Sequence, residues 1–205
     1  MSRLLFPLAA CLAFCLGLPA AAQDFPALYD VVDVAQDDVL NVRREPNASS
    51  EIVGTLSPSQ AGVEVIKTDG AGKWGFVNLG EQSGWASLRY MQAVPDGYLP
   101  KWQALSCSGT EPFWGLSIQQ GQTATFDEFG DAKSYAIGNL TPASGRFWPY
   151  AIFGESGPDR MSAVIAPGYC DDGMSDQEFG LTVALILEGA DRAFYSGCCT
   201  LDSGN

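Results

Sequence analysis

The sequence predicts an all-β protein made of two small β domains, and three observations carry that prediction. From Tyr29 onward, short runs of β-branched and aromatic residues alternate with Gly, Pro, Asn and Asp. No segment in the first half sustains an apolar repeat at helical spacing. Beyond an N-terminal apolar stretch, four cysteines remain, Cys107, Cys170, Cys198 and Cys199, an even number that suggests disulfides in an exported chain. A length of 205 residues admits one large or two small domains.

The chain opens with Arg3 and an apolar run from Leu4 to Leu18, then Pro19 and the small residues Ala20, Ala21 and Ala22. This is the pattern of an export signal over residues 1–22, cleaved after Ala22, with Gln23 as the mature start. Leu8-Ala9-Ala10-Cys11 reads like the box before a lipidated cysteine. Processing there would leave the apolar segment Leu12 to Ala22 at the mature N-terminus, so anchoring at Cys11 is not expected. No later stretch approaches the roughly 20 apolar residues of a membrane span. The expected location is periplasmic or secreted.

Residues 24–94 form the first expected domain. Its strand candidates are Tyr29 to Val34, Val39 to Arg43, Ile52 to Leu56, Val63 to Thr68, Trp74 to Leu79 and Gly84 to Leu88. So many short strands in so few residues suggest a small barrel. Pro95-Asp96-Gly97-Tyr98-Leu99-Pro100 then reads as a linker over residues 95–101, because two prolines bracket a turn dipeptide. In the second domain, residues 102–205, candidates run Trp102 to Cys107, Phe113 to Gln119, Thr123 to Asp127, Ser134 to Ile137, Phe147 to Phe153, Arg160 to Ile165, Leu181 to Leu187 and Ala193 to Cys198. A second antiparallel β-barrel or sandwich is expected there.

Composition excludes several functions. With 24 acidic against 11 basic residues, the net charge is −13, which argues against a nucleic-acid partner. Histidine is absent, so this chain holds no Ser-His-Asp or Cys-His nucleophile and no imidazole zinc site. No enzyme activity, metal or cofactor is expected.

Leu40-Asn41-Val42-Arg43-Arg44-Glu45-Pro46, followed by Glu51-Ile52-Val53-Gly54, Gly72-Lys73-Trp74, Gly84-Trp85-Ala86 and Tyr90-Met91, resembles a bacterial SH3 domain over about residues 28 to 93. The resemblance implies a small SH3-like barrel that holds peptidoglycan or an envelope protein partner. Cys107-Ser108-Gly109-Thr110-Glu111-Pro112-Phe113-Trp114, Cys170-Asp171-Asp172-Gly173-Met174-Ser175-Asp176 and Gly197-Cys198 resemble a family of bacterial envelope proteins of no established activity, over about residues 102 to 200. That resemblance implies compartment and fold only.

If Cys198 and Cys199 lie in a strand, they face opposite sides, so each should pair with Cys107 or Cys170. Cys170–Cys198 with Cys107–Cys199 is the expected set, and the swapped partners are the alternative. Trp74, Trp85 and Tyr90 either pack the first barrel or line a groove. Phe147, Trp148 and Tyr150 surround Pro149 and, if exposed, would make an apolar platform for a sugar ring or peptide. Asp171, Asp172 and Asp176 lack EF-hand spacing and read as a turn whose carboxylates cap backbone N–H groups, with calcium as the rival. A glycan hydrolase would use Glu111 with Asp172 or Asp176, a reading kept only as an alternative to binding and scaffolding.

Overall fold

Burial alternates along the longer strands of the computed structural model, which describes residues 25–189 and 192–203. The expected leader lies outside the described residues. No helix among them is long and apolar enough to cross a membrane.

The first half holds β1 (Ala27–Val31), β2 (Leu40–Arg43), β3 (Ile52–Leu56), β4 (Val63–Val65), β5 (Lys67–Thr68), β6 (Trp74–Leu79), β7 (Gln82–Ser87), a 3-10 turn at Leu88–Tyr90, and β8 (Met91–Tyr98). They form two antiparallel sheets, in the orders β4-β1-β8 and β3-β2-β7-β6-β5. Both sheets feed one core, with Tyr29, Val31, Val63, Val65 and Met91 from the first and Leu40, Val42, Leu56, Val77 and Ala86 from the second. Val63 and Val65 enter this core, so Glu64 between them points away from it, beside Leu28 on β1.

The expected linker is different. Residues 95–98 finish β8, and Tyr98 pairs with Ala27. The register jumps from Ala27↔Tyr98 to Tyr29↔Ala93, so Pro95, Asp96 and Gly97 bulge opposite Leu28. A bulge takes a proline without losing a ladder hydrogen bond and accepts Asp96 at φ 56°. The turn dipeptide is a kink within a strand. Gly97 lets that kink close against the Cβ of Leu28, where a Cβ of its own would stand 3.1 Å away.

The second half holds β9 (Ala104–Thr110), β10 (Phe113–Gln119), β11 (Thr123–Glu128), β12 (Asp131–Ile137), β13 (Thr141–Pro142), β14 (Tyr150–Ser156), β15 (Asp159–Cys170), β16 (Phe179–Glu188) and β17 (Ala193–Leu201). The order β12-β11-β10-β9-β17-β16-β15-β14 closes on itself through Ala136↔Glu155 and Ile137↔Gly154, giving an eight-stranded antiparallel barrel. β13 is an added edge on β14. Closure is made by these two residue pairs, and residues 131–135 of β12 take no partner from β14. The interior is apolar, with Leu116, Ile152, Met161, Ile165, Leu181 and Leu185 fully buried.

Trp114 is inside and Phe113 is exposed. The indole lies over two strands that carry glycine for it. A Cβ on Gly109 would sit 2.2 Å from Trp114 Nε1, and one on Gly197 would sit 2.9 Å from its ring and 2.0 Å from the Ser108 carbonyl oxygen. The Gly109 and Gly197 of the two sequence motifs are therefore the seat of Trp114. Phe126 and Tyr195 complete the stack, with centroids 6.1 and 5.7 Å from the indole.

Cys107 bridges to Cys199 and Cys170 to Cys198, the expected set. Cys107 and Cys199 face each other in the β9–β17 register inside the core. Cys198 points to the opposite face, where Cys170 meets it. Two disulfides fit an oxidising compartment.

One end of the large barrel is filled from the first half: Leu28 and Leu99 belong to its core, with Val94 and Trp102 packed alongside. Gln120, the buried polar residue of this end, binds the junction. Its Nε2 donates to the carbonyls of Pro100 (3.1 Å) and Trp102 (2.5 Å), and its Oε1 accepts from Leu140 N–H (2.8 Å). Gln120→Met keeps the volume and strands those three backbone groups. The expected loss of stability is about 2–3 kcal/mol, read from urea denaturation.

Candidate functional site

Two grooves collect five of the six sequence-selected aromatics. In the first, on the small barrel, the chain from Asp33 to Arg43 runs past Trp74 and the 3-10 turn, leaving a cavity of about 530 Å³. Trp74 sits at the start of β6 and Tyr90 at the end of the 3-10 turn, both half-buried. On β6 the inward positions are Gly75 and Val77, which turns Trp74 outward. Arg43 and Arg89 line the same groove, with Asp33 and Asp38. Arg43 Nη1 donates to the Ser50 carbonyl at 2.7 Å, which fixes its guanidinium, and Arg89 stacks 5.5 Å from the Tyr90 ring.

Trp85 is not part of this groove. It packs edge-on against Phe76 at 5.1 Å on the outer face of β6 and β7. That face receives the acidic loop of the large barrel. Lys67 stands 4.4 Å over Phe76 and pairs with Glu178, Asn78 Nδ2 donates to the Glu178 carbonyl, and Ser83 Oγ donates to the Asp176 carbonyl.

The loop itself is a turn closed by its own carboxylates. Asp172 Oδ1 accepts from Met174 and Ser175 N–H at 3.0 and 2.9 Å, its Oδ2 accepts from Ser175 Oγ, and Asp171 Oδ1 accepts from Gly173 N–H. These backbone donors hold the Asp172 carboxyl below its ordinary range. Glu111 lines a cleft of about 550 Å³ with Asp171 and Asp172, beside the Cys170–Cys198 bridge. Among the described residues, no group of three acidic, Cys or His side chains is placed to hold a metal ion.

The second aromatic groove lies at the junction of the two halves and measures about 620 Å³. Phe147 and Trp148 are exposed, at 89% and 56%, in the loop before β14, not in a strand as the sequence suggested. Pro149 breaks the run, and the strand begins at Tyr150. Tyr150 is buried in the barrel core with one side on the groove, facing Phe25, Pro26 and Tyr98 from the first half.

Residues 38–92 match the family model for the bacterial SH3 domain. The match starts at the approach to β2 and ends in β8, so it contains Arg43, Trp74, Arg89 and Tyr90 of the first groove, while Asp33, Val34 and Ala35 precede it. The strand β1 precedes the match and supplies Leu28 to the large barrel. The comparisons with curated proteins and with solved structures find no match to the chain. The envelope-protein resemblance of residues 102–200 rests on its motifs alone.

Arg89 is the groove residue that the sequence reading missed. It follows Leu88 at the end of a strand candidate, and the 3-10 turn at Leu88–Tyr90 places it on the groove together with Tyr90. Arg43 follows the inward residues Leu40 and Val42 at an outward position of β2, and its groove partners Trp74, Arg89 and Tyr90 lie far along the chain.

Proposed function

We propose that this protein is an exported, non-catalytic binding protein of the cell envelope, whose SH3 domain holds a peptide stem of peptidoglycan. The observation that supports this most is the groove that gathers Trp74, Tyr90, Arg43 and Arg89. Aromatic faces give contact area at low entropic cost, and a guanidinium recognises a carboxylate through paired hydrogen bonds. In a chain of net charge −13, two arginines in one groove favour carboxylate groups locally, while Asp33 and Asp38 suit a free amine. A short peptide carrying both fits that mixture. Phe147 and Trp148 offer a second, apolar platform on which a sugar ring of the same polymer would stack. A non-catalytic role is supported by the engagement of Asp172 in its own turn and by the absence of histidine.

The test is cosedimentation of the purified protein with isolated sacculi. Wild-type protein is expected in the pellet, and a Trp74→Ala, Tyr90→Ala double variant should bind about tenfold more weakly, as loss of two central aromatics usually costs that much or more. If wild-type protein stays in the supernatant, crosslinking in intact cells decides for the alternative of a scaffold, in which one dominant envelope protein is captured.

A further inference from the structure

The outer wall of the large barrel carries an apolar face across β14, β15, β16 and β17. In one row across these strands, Phe153 pairs with Ser162, Ser162 with Ile186, and Ile186 with Phe194. Residues paired across adjacent strands share one side of the sheet, and here it is the solvent side, with Phe153 64% and Phe194 69% exposed. The neighbouring row is Ala151, Val164, Ala184 and Ser196, paired in the same order. No position in either row is charged, although the chain holds 24 acidic residues. The row on the other side is Glu155, Arg160 and Glu188. Its one cation, Arg160, has Nε 3.3 Å from Glu155 Oε1.

We propose that this face joins two copies of the chain, wall to wall, about a two-fold axis that runs along the strands between β15 and β16. Such an axis lays β15 of each copy over β16 of the other, and the face then meets its own complement. Ser162 falls opposite Ile186 and Ala184 opposite Val164, a small side chain against a larger one at each central position. Arg160 falls opposite Glu188, so the rim row meets opposite charge on both sides of the axis. Phe153 and Phe194 stand opposite one another over the flanking strands. A closed barrel is convex, so the two walls part towards β14 and β17, and the largest side chains fill the widening gap. Phe153, Val164, Ile186 and Phe194 together expose on the order of 400 Å² in each copy. With the small residues and the rim, a pair would bury about 1,000 Å², the least that a specific interface needs. A lipid surface would use neither the size matching nor the Arg160–Glu188 register. The face is separate from the groove of Trp74 and Tyr90.

The test is sedimentation equilibrium of the purified protein at about 0.15 M salt. A monomer–dimer equilibrium with a dissociation constant below about 100 μM is expected from an interface of this size. A Phe153→Ser, Phe194→Ser variant should associate at least about tenfold more weakly, and its circular dichroism reports that the barrel is intact, since both side chains point outward. Arg160→Glu alone sets like charges opposite across the axis and should weaken the dimer about fivefold, and adding Glu188→Arg should restore it. A protein monomeric up to about 200 μM, unchanged association in the phenylalanine variant, or no recovery on the second charge change would each overturn the proposal. Flotation of a monomer with phosphatidylcholine vesicles would assign the face to lipid and overturn it equally.

Discussion

Replacing Cys107 and Cys199 together by alanine is expected to lower the stability of the large barrel by about 4–5 kcal/mol. The bridge joins the first and last strands of that barrel across a sequence separation of 92 residues. Its removal therefore returns to the unfolded chain the freedom of a very long loop, worth about 4.6 kcal/mol on the chain-entropy account. The Cys170–Cys198 bridge closes 28 residues and is worth about 3.6 kcal/mol on the same account. It also pins the acidic loop, whose far end docks on Lys67, Asn78 and Ser83 of the SH3 half. The SH3 half contains no cysteine and has its own core, so it should remain folded while losing the cover that Leu28 shares with the large barrel. Urea denaturation of the wild type and of each paired variant checks the order. A loss under about 1 kcal/mol for Cys107 and Cys199 would mean that the barrel's first and last strands are held closed without the bridge.

The strands were legible because burial here follows period two. Phe113–Gln119 falls where the alternation places it, and Ile52–Leu56 and Trp74–Leu79 fall where β-branched and aromatic runs lie between turn residues. The strand ends were not. β15 continues past Ile165 to Cys170 through a register shift beyond Pro167, and Ala166-Pro167-Gly168 looks like a stop in any local reading. The same holds at Pro95-Asp96-Gly97, where turn residues mark a bulge because Tyr98 still finds Ala27 across the sheet. Turn chemistry records a local departure from the strand, and only long-range pairing decides whether the strand resumes.

The candidate site was legible as residue types and not as groupings. Trp74, Trp85 and Tyr90 stand alike in the sequence, yet two share a groove and the third packs edge-on against Phe76. The difference lies in the pairing of β6 with β7, which sets Trp85 opposite Phe76 and away from the 3-10 turn that carries Tyr90. The disulfides were more tractable, because adjacent cysteines in one strand must face opposite sides and so divide the partners between them. The cleft at the end of the large barrel had no local signal at all: its lining comes from β11, β12, β15, β16 and β17, which only closure brings together.

Stability is expected to fall as pH rises from about 5 to about 8, and Glu64 is the group responsible. Its carboxyl lies between β4 and the large barrel, with Oε1 accepting from Leu201 N–H at 2.9 Å. Burial there disfavours the charged form and pushes its pKa up from 4.5 to about 7, against the smaller opposing effect of the Leu201 hydrogen bond. Between those two values the folded protein keeps a proton that the unfolded chain has released. The stabilisation is thus fully present below about pH 4.5 and is lost as pH rises through about 7, by up to about 3 kcal/mol at roughly 1.4 kcal/mol per pKa unit. Asp172 acts in the opposite direction, since its lowered pKa gives stability that is lost only as pH falls below the ordinary carboxylate range. The two windows therefore do not overlap. The decisive comparison is with Glu64→Gln, which keeps an acceptor for Leu201 and cannot ionise. That variant should match the wild type near pH 5 and exceed it at pH 8. An equal fall with pH in both proteins would show that the carboxyl at this junction stays ionised throughout.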